Sequence, residues 1–146
     1  MDKDKIWLAG FMDGEGSFYV AKTTVRGYTS FRPRVSVVNT HQGAIDHAEE
    51  LFGRLAKTTV VRRRIRKATA NRKARHGVDI CSWEGVYNIS KSLLPYLVIK
   101  REAALTLIDW AEYRLPKLQT RKFQTGFDET DVEFYERLRV LNKRGT

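Results

Sequence analysis

The sequence predicts an α+β fold in which a four-stranded antiparallel sheet carries helices on one face and leaves the other open. Three observations lead to it. Two pairs of strand-like segments are each joined by a turn, so each pair reads as a hairpin. Segments with helical apolar spacing lie before, between and after the hairpins, an interleaving that gathers helices on one side of an antiparallel sheet. The chain of 146 residues is 42% hydrophobic, enough for one core and one domain, taken to span 1–146.

The first helix covers about Lys5–Met12, with Leu8, Phe11 and Met12 in one apolar stripe and Trp7, Gly10 and Gly14 in a second. Asp13-Gly14-Glu15-Gly16 ends it, and Ser17-Phe18-Tyr19-Val20 opens a strand over 17–26. Arg26-Gly27 supplies a turn into a second strand, Tyr28–Val38, in which Pro33 argues for an edge position or a bulge. Asn39-Thr40 gives a cap signal for a helix over Gly43–Leu55, with Ile45, Ala48, Leu51 and Phe52 at core spacing. A third strand is expected over Lys57–Ala68 and a fourth over Gly77–Trp83, leaving 69–76 as a hairpin tip. Glu84–Leu94 reads as a helix ended by Pro95. Val98–Leu115 reads as a stronger one ended by Pro116, with Ala103, Ala104, Leu107, Ile108 and Ala111 on one side. Residues 119–127 look irregular. Thr130-Asp131-Val132-Glu133 fits a capping box for a last helix through Leu141 that buries Val132, Tyr135, Leu138 and Leu141.

A formal charge of +10 favours a polyanionic partner. On the third strand Val61 and Ile65 share parity and point to the helices, so Arg62, Arg64 and Arg66 point the other way, about 6–7 Å apart. Arg32, Arg34 and Ser36 repeat the pattern on the second strand, and Tyr19, Ala21 and Thr23 share that face on the first. The tip adds Arg72, Lys73, Arg75 and His76. Such rows suit the phosphates of a duplex or guanine edges in a major groove. His47 and His76 read as surface residues. A single cysteine, Cys81, rules out an internal disulfide framework and a Cys-based zinc site, and favours a reducing compartment. Residues 1–20 lack an apolar signal region and no stretch is long enough to span a membrane, so an intracellular, non-secreted protein is expected.

Leu8-Ala9-Gly10-Phe11-Met12-Asp13-Gly14-Glu15-Gly16 resembles the nine-residue motif of the LAGLIDADG homing endonucleases, in the variant that continues Ser17-Phe18. The motif occurs once. The resemblance extends over about 4–115, which leaves about 117–146 as a C-terminal extension with an extra helix. It implies the family's αββαββα core, whose sheet forms a saddle on double-stranded DNA. Glu15, eighth in the motif, stands where the family's acid binds the catalytic metal. The resemblance implies Mg²⁺, with Mn²⁺ able to substitute, and the backbone carbonyl of Gly14 as a second ligand. Asp13 is favoured as a structural hydrogen-bonding group over a metal ligand. Lys100, closing Pro95-Tyr96-Leu97-Val98-Ile99-Lys100, resembles the family's catalytic lysine. His41, within Asn39-Thr40-His41, falls where a polar residue touches the family's water network and relays protons. Where some relatives carry a basic residue one turn further on, this chain has Ile45.

One carboxylate per chain is thin for phosphodiester hydrolysis. Two copies packed through Trp7, Gly10 and Gly14 would bring two Glu15 side chains together, so a single motif implies a homodimer and a pseudo-palindromic target. The implied activity is that of an intron-encoded, site-specific endonuclease that leaves short 3′ overhangs. Two alternatives stand beside it: an RNA maturase that assists splicing of an intron RNA, and a non-catalytic DNA-binding repressor on the same scaffold.

Overall fold

The structure is a computed structural model that describes residues 2–58, 60–120 and 126–143. Helix α1 (Asp2–Glu15) runs directly into strand β1 (Gly16–Val25) and buries Leu8, Ala9 and Met12. Gly14 does not break the helix. The corner comes at Gly16, where a Cβ would lie 2.4 Å from Met12 Cε and 2.9 Å from Met12 Cα. Glycine there lets the strand leave hard against the helix it has just come from. β1 pairs with β2 (Tyr28–Asn39) across a two-residue turn at Arg26 (φ 52°) and Gly27 (φ 77°). Two successive positive φ angles match the right-handed twist of a tight hairpin. Pro33 lies opposite Val20, and β2 meets its other neighbour only from Val35 onward. Pro33 therefore sits on a locally free edge, where its missing N–H costs no ladder bond.

Helix α2 (Gln42–Ala56) is capped by His41 rather than by Asn39-Thr40. His41 Nδ1 accepts the Ala44 N–H at 3.0 Å, and Asn39 Oδ1 accepts the His41 N–H at 2.8 Å. Lys57 ends α2 in the left-handed conformation (φ 53°), so strand β3 (Arg62–Arg66) is shorter than the sequence suggests. Strand β4 (Arg75–Ile80) follows, and the strand order is β1-β2-β4-β3, antiparallel throughout. Helix α3 (Trp83–Leu93) is capped by Ser82 and leads through a short 3-10 turn (Leu94–Tyr96). Helix α4 (Arg101–Thr120) starts three residues later than expected and continues through Pro116. Of the expected irregular segment, residues 121–125 lie outside the described residues.

The helices cover one face of the sheet. Phe18, Val20, Phe31, Val35, Val37, Val78 and Ile80 point into a core shared with Leu8, Met12, Ile45, Leu51, Phe52, Ile89 and Leu107. Helix α5 (Glu129–Leu141) extends this core. Its capping box is formed by Asp128 and Asp131, not by Thr130. Leu138 is buried and Tyr135 partly so, whereas Val132 (48%) and Leu141 (42%) are exposed, contrary to the expected stripe. A polar lock takes their place. The Trp110 indole N–H donates to Asp131 at 2.8 Å, and Arg114 pairs with the same buried carboxylate at 3.3 Å. Beyond the helix, Asn142 Nδ2 donates to the Phe18 carbonyl of β1 at 2.9 Å. Among the described residues no helix is long and apolar enough to cross a membrane.

Replacing Asp131 with Ala removes the acceptor of Trp110 and the buried carboxylate paired with Arg114. It should cost about 3 kcal/mol or more in urea unfolding; a loss well under 1 kcal/mol would mean that apolar packing alone docks α5.

Candidate active site and nucleic-acid interface

Glu15 is the last residue of α1 and is exposed. It opens onto a cleft of about 640 Å³ lined by Gly14, Glu15, Gly16, Ser17, Tyr19, Lys100 and Asn142. A helix end of this kind carries unsatisfied carbonyls and the negative end of the helix dipole. Lys100 answers both. Its Nζ donates to the Met12 carbonyl at 3.0 Å and to the Gly16 carbonyl at 2.5 Å. Burial holds the Lys100 ammonium below the ordinary lysine range, against the opposing pull of the Asp13 and Glu15 charges. Gly14 belongs to the same last turn and lines the same cleft.

Asp13 performs the converse task. Its Oδ2 accepts the Val98 N–H at 2.9 Å, and its Oδ1 accepts those of Ile99 at 3.0 Å and Lys100 at 2.9 Å. These donors form the entry to α4, so a residue of α1 acts as the anionic cap of another helix. Three of the roughly four lone-pair positions of the carboxylate are thereby taken, which favours the structural role over metal ligation. The chain wraps around Asp13 with Val98 (80%) and Ile99 (74%) turned outward, which is why α4 begins after Lys100. His41 is not among the residues lining the cleft, and its Nδ1 serves as the α2 cap. Asn142, which does line it, was not singled out from the sequence: nothing in the chain order brings the end of the last helix to the first strand.

The uncovered face of the sheet joins this cleft through Ser17 and Tyr19. Arg34 Nη1 donates to the Tyr19 hydroxyl at 3.1 Å, and its guanidinium lies 5.7 Å from that ring. Thr23, Arg32, Arg66, Arg72, Lys73 and Arg75 are exposed. Ser36 shares their face but is only 7% exposed. Arg62 and Arg64 stand about half exposed on the same face, both paired with Asp79, an acid of β4 with no exposed side-chain surface. The hydrogen bond to Asp79 raises the Arg62 pKa further. Asp79 was missed from sequence, although an acid between Val78 and Ile80 in a strand is a legible signal. Parity on β3 is as expected, but burial is not. Ile65 is 61% exposed on the helix side, where Arg63 instead reaches Asp46 (2.7 Å) and Glu49 (2.8 Å) of α2. His76, read as a surface residue, is 8% exposed and meets Arg63 at 3.2 Å. His47 is exposed as read, with its ring 4.6 Å from that of Trp7.

No protein-family model and no curated protein matches the chain. Solved structures do. An archaeal intron-encoded homing endonuclease complexed with DNA gives a TM-score of 0.74 at 14% identity, covering 99% of this chain and 87% of that one. I-GzeII, a LAGLIDADG homing endonuclease in complex with its DNA target, gives 0.62 at 14%, covering 97% of this chain and 44% of that one. The fold here is the LAGLIDADG homing endonuclease fold. I-CvuI, bound to a DNA target, shares it with a TM-score of 0.70 at 18% identity over 99% of this chain and 87% of that one. The LAGLIDADG fold accounts for the succession α1-β1-β2-α2-β3-β4-α3 that the sequence predicts, with α4 and α5 following.

Replacing Asp13 with Ala deletes the carboxylate that accepts three backbone N–H groups and should cost about 2 kcal/mol in chemical unfolding. It should also lower the Lys100 pKa further, since the negative charge that raised it is gone. Titration of Lys100 by NMR at alkaline pH reads this directly; an unmoved titration would show that the Asp13 charge is not felt at Nζ.

Proposed function

We propose that this chain is a homodimeric, site-specific, divalent-metal-dependent DNA endonuclease of the homing type, acting inside the cell on a long pseudo-palindromic duplex and leaving short 3′ overhangs. One observation carries the reading: the cleft that holds Glu15 and Lys100 is continuous with the cationic sheet face through Ser17 and Tyr19. A surface that tracks phosphates thus leads to a carboxylate and a lysine. Solved proteins of the same fold are described in complex with DNA, and I-CvuI with Mg and with Ca.

The residues fit a hard cation only in part. Among the described residues no three His, Cys, Asp or Glu side chains gather, so one chain offers no closed protein cage. Mg²⁺ needs none, because it keeps several waters and binds through one or two carboxylates plus substrate phosphates. Glu15 and the Gly14 carbonyl would hold it. When bound, it supplies an activated water and charge neutralisation at the scissile phosphate. Lys100 has two of its three donors committed to Met12 and Gly16, which leaves the third for a phosphate oxygen or the attacking water. His41 remains a candidate for the outer water network through the ring nitrogen that does not cap α2.

The second copy is argued from two glycines. A Cβ at Gly10 or Gly14 would meet nothing within 4 Å, so the chain by itself has no need of glycine at either place. Trp7 is 37% exposed beside them and Ile6 54%. Close approach of an identical helix explains both the missing side chains and the uncovered aromatic. Each partner then brings one Glu15, one for each strand of the duplex.

Selection of cleaved sites from a randomised duplex library, with Mg²⁺ or with Ca²⁺, tests the reading. A long, nearly two-fold site cut only with Mg²⁺ is expected. Enrichment by binding without cutting in either metal would favour the repressor, and preference for structured RNA the maturase. Replacing Glu15 with Gln should abolish cleavage and leave duplex affinity within a few-fold; equal loss of both would remove the metal role. Replacing Gly10 with Leu should give a monomer in sedimentation, and a surviving dimer would refute the seam.

A further inference from the structure

Asp79 stands near the middle of the uncovered face, yet its side chain has no exposed surface. Arg62 grips it with Nε to Oδ1 at 3.0 Å and Nη2 to Oδ2 at 3.2 Å, and Arg64 adds Nη2 to Oδ2 at 3.1 Å. The strand register dictates this meeting. Asp79 lies directly between Ser36 of β2 and Arg62 of β3. Gly77 lies opposite Arg64, and the Arg64 Nη2 passes 3.9 Å from where a Gly77 Cβ would be. Arg64 therefore leans over a residue without a side chain to reach the acid two places along. Both arginines stay accessible, at 46% and 48% of their side-chain surface.

We propose that Asp79 is a specificity-determining positioning residue, which fixes Arg62 and Arg64 as a pre-set pair of forks for reading base edges. The proposal rests on the DNA-binding function above. A free arginine samples many rotamers, and ordering it on a duplex costs affinity and allows the fork to settle on wrong acceptors. Asp79 removes that freedom before DNA arrives. Its grip uses the Nε–Nη2 edge of Arg62 and leaves the Nη1 end for a ligand, in the planar geometry that matches guanine O6 and N7. The acid also cancels one of the two positive charges. The pair then adds less to sequence-blind phosphate attraction and more to selection.

The test compares binding profiles of wild type, Asp79→Asn, Arg62→Gln and Arg64→Gln over a randomised duplex library at one fixed salt concentration. Asparagine keeps the shape of the acid and one acceptor but loses the charge and the two-pronged grip. The base pairs whose preference the arginine variants relax define the footprint of the pair. Asp79→Asn should lower discrimination at those base pairs about tenfold, hold preferences elsewhere, and bind unrelated duplex as well as or better than wild type. An unchanged profile overturns the proposal. A uniform loss of binding at all positions also overturns it, because that is what a merely structural acid would give. Should Asp79→Asn fail to fold, Arg62→Gln and Arg64→Gln decide: arginine variants that relax no base pair refute the pair as readers. Wild-type protein that selects no duplex sequence would instead refute the DNA-binding function, and the proposal with it.

Discussion

Two helix ends satisfy one another across this molecule, and the rest of the site hangs on that exchange. The C-terminus of α1 needs a cation and receives Lys100; the entry to α4 needs an anion and receives Asp13. Each helix supplies what the other lacks, although the two residues are 87 positions apart in sequence. Partly buried charges at helix ends contribute up to about 2 kcal/mol each, so the paired arrangement resists rotation of either helix. Glu15, two residues past Asp13, inherits its direction from this clasp. So does Gly16, whose carbonyl the same lysine holds. The corner between helix and strand is fixed by ordinary backbone chemistry, and among the described residues no hydrogen bond holds the Glu15 carboxylate it displays.

The parts legible in the sequence were those with local periodicity or a specific motif. Alternation along 17–38 gave the first hairpin and its inward face, because the strand period leaves no other assignment for Phe18, Val20, Val35 and Val37. The nine-residue motif located the corner between α1 and β1. What failed was set by distant neighbours. The side of Ile65 follows from parity, but its burial depends on whether a helix overlies an edge strand, and there the polar flank of α2 faces Arg63 instead. Pro116 costs α4 one i→i−4 hydrogen bond and crowds the preceding turn, yet the helix continues through it to Thr120, a balance that local sequence does not reveal. The roles of Asp131 and Asn142 were out of reach, since α5 meets α4 and β1 only through the tertiary fold.

The open face is less positive than its arginine count suggests. Arg63 is spent on Asp46 and Glu49 on the helix side. Asp79 offsets one of the charges of Arg62 and Arg64. Among the described residues, exposed cations without such an acid sit further out, at Arg32, Arg66, Arg72, Lys73 and Arg75. Charge is thus graded across the surface, with ion-paired arginines near the centre of the sheet and exposed cations toward the hairpin ends. On the proposed function, long-range attraction would come from the periphery and discrimination from the middle.

The outer half of the first hairpin carries a separate consequence. From Tyr28 to Arg34, β2 pairs only with β1, so this part of the sheet is a ribbon with two free edges. Such an edge is a template for pairing with another unfolded or folded chain. Here Pro33 removes one donor from it, and Arg32 and Arg34 flank that gap with like charge. Two molecules approaching edge to edge would bring cations together and find a missing hydrogen bond in the ladder. The ribbon is therefore guarded against edge-to-edge pairing where no neighbouring strand covers it, and the same proline that breaks the strand pattern interrupts growth by sheet extension.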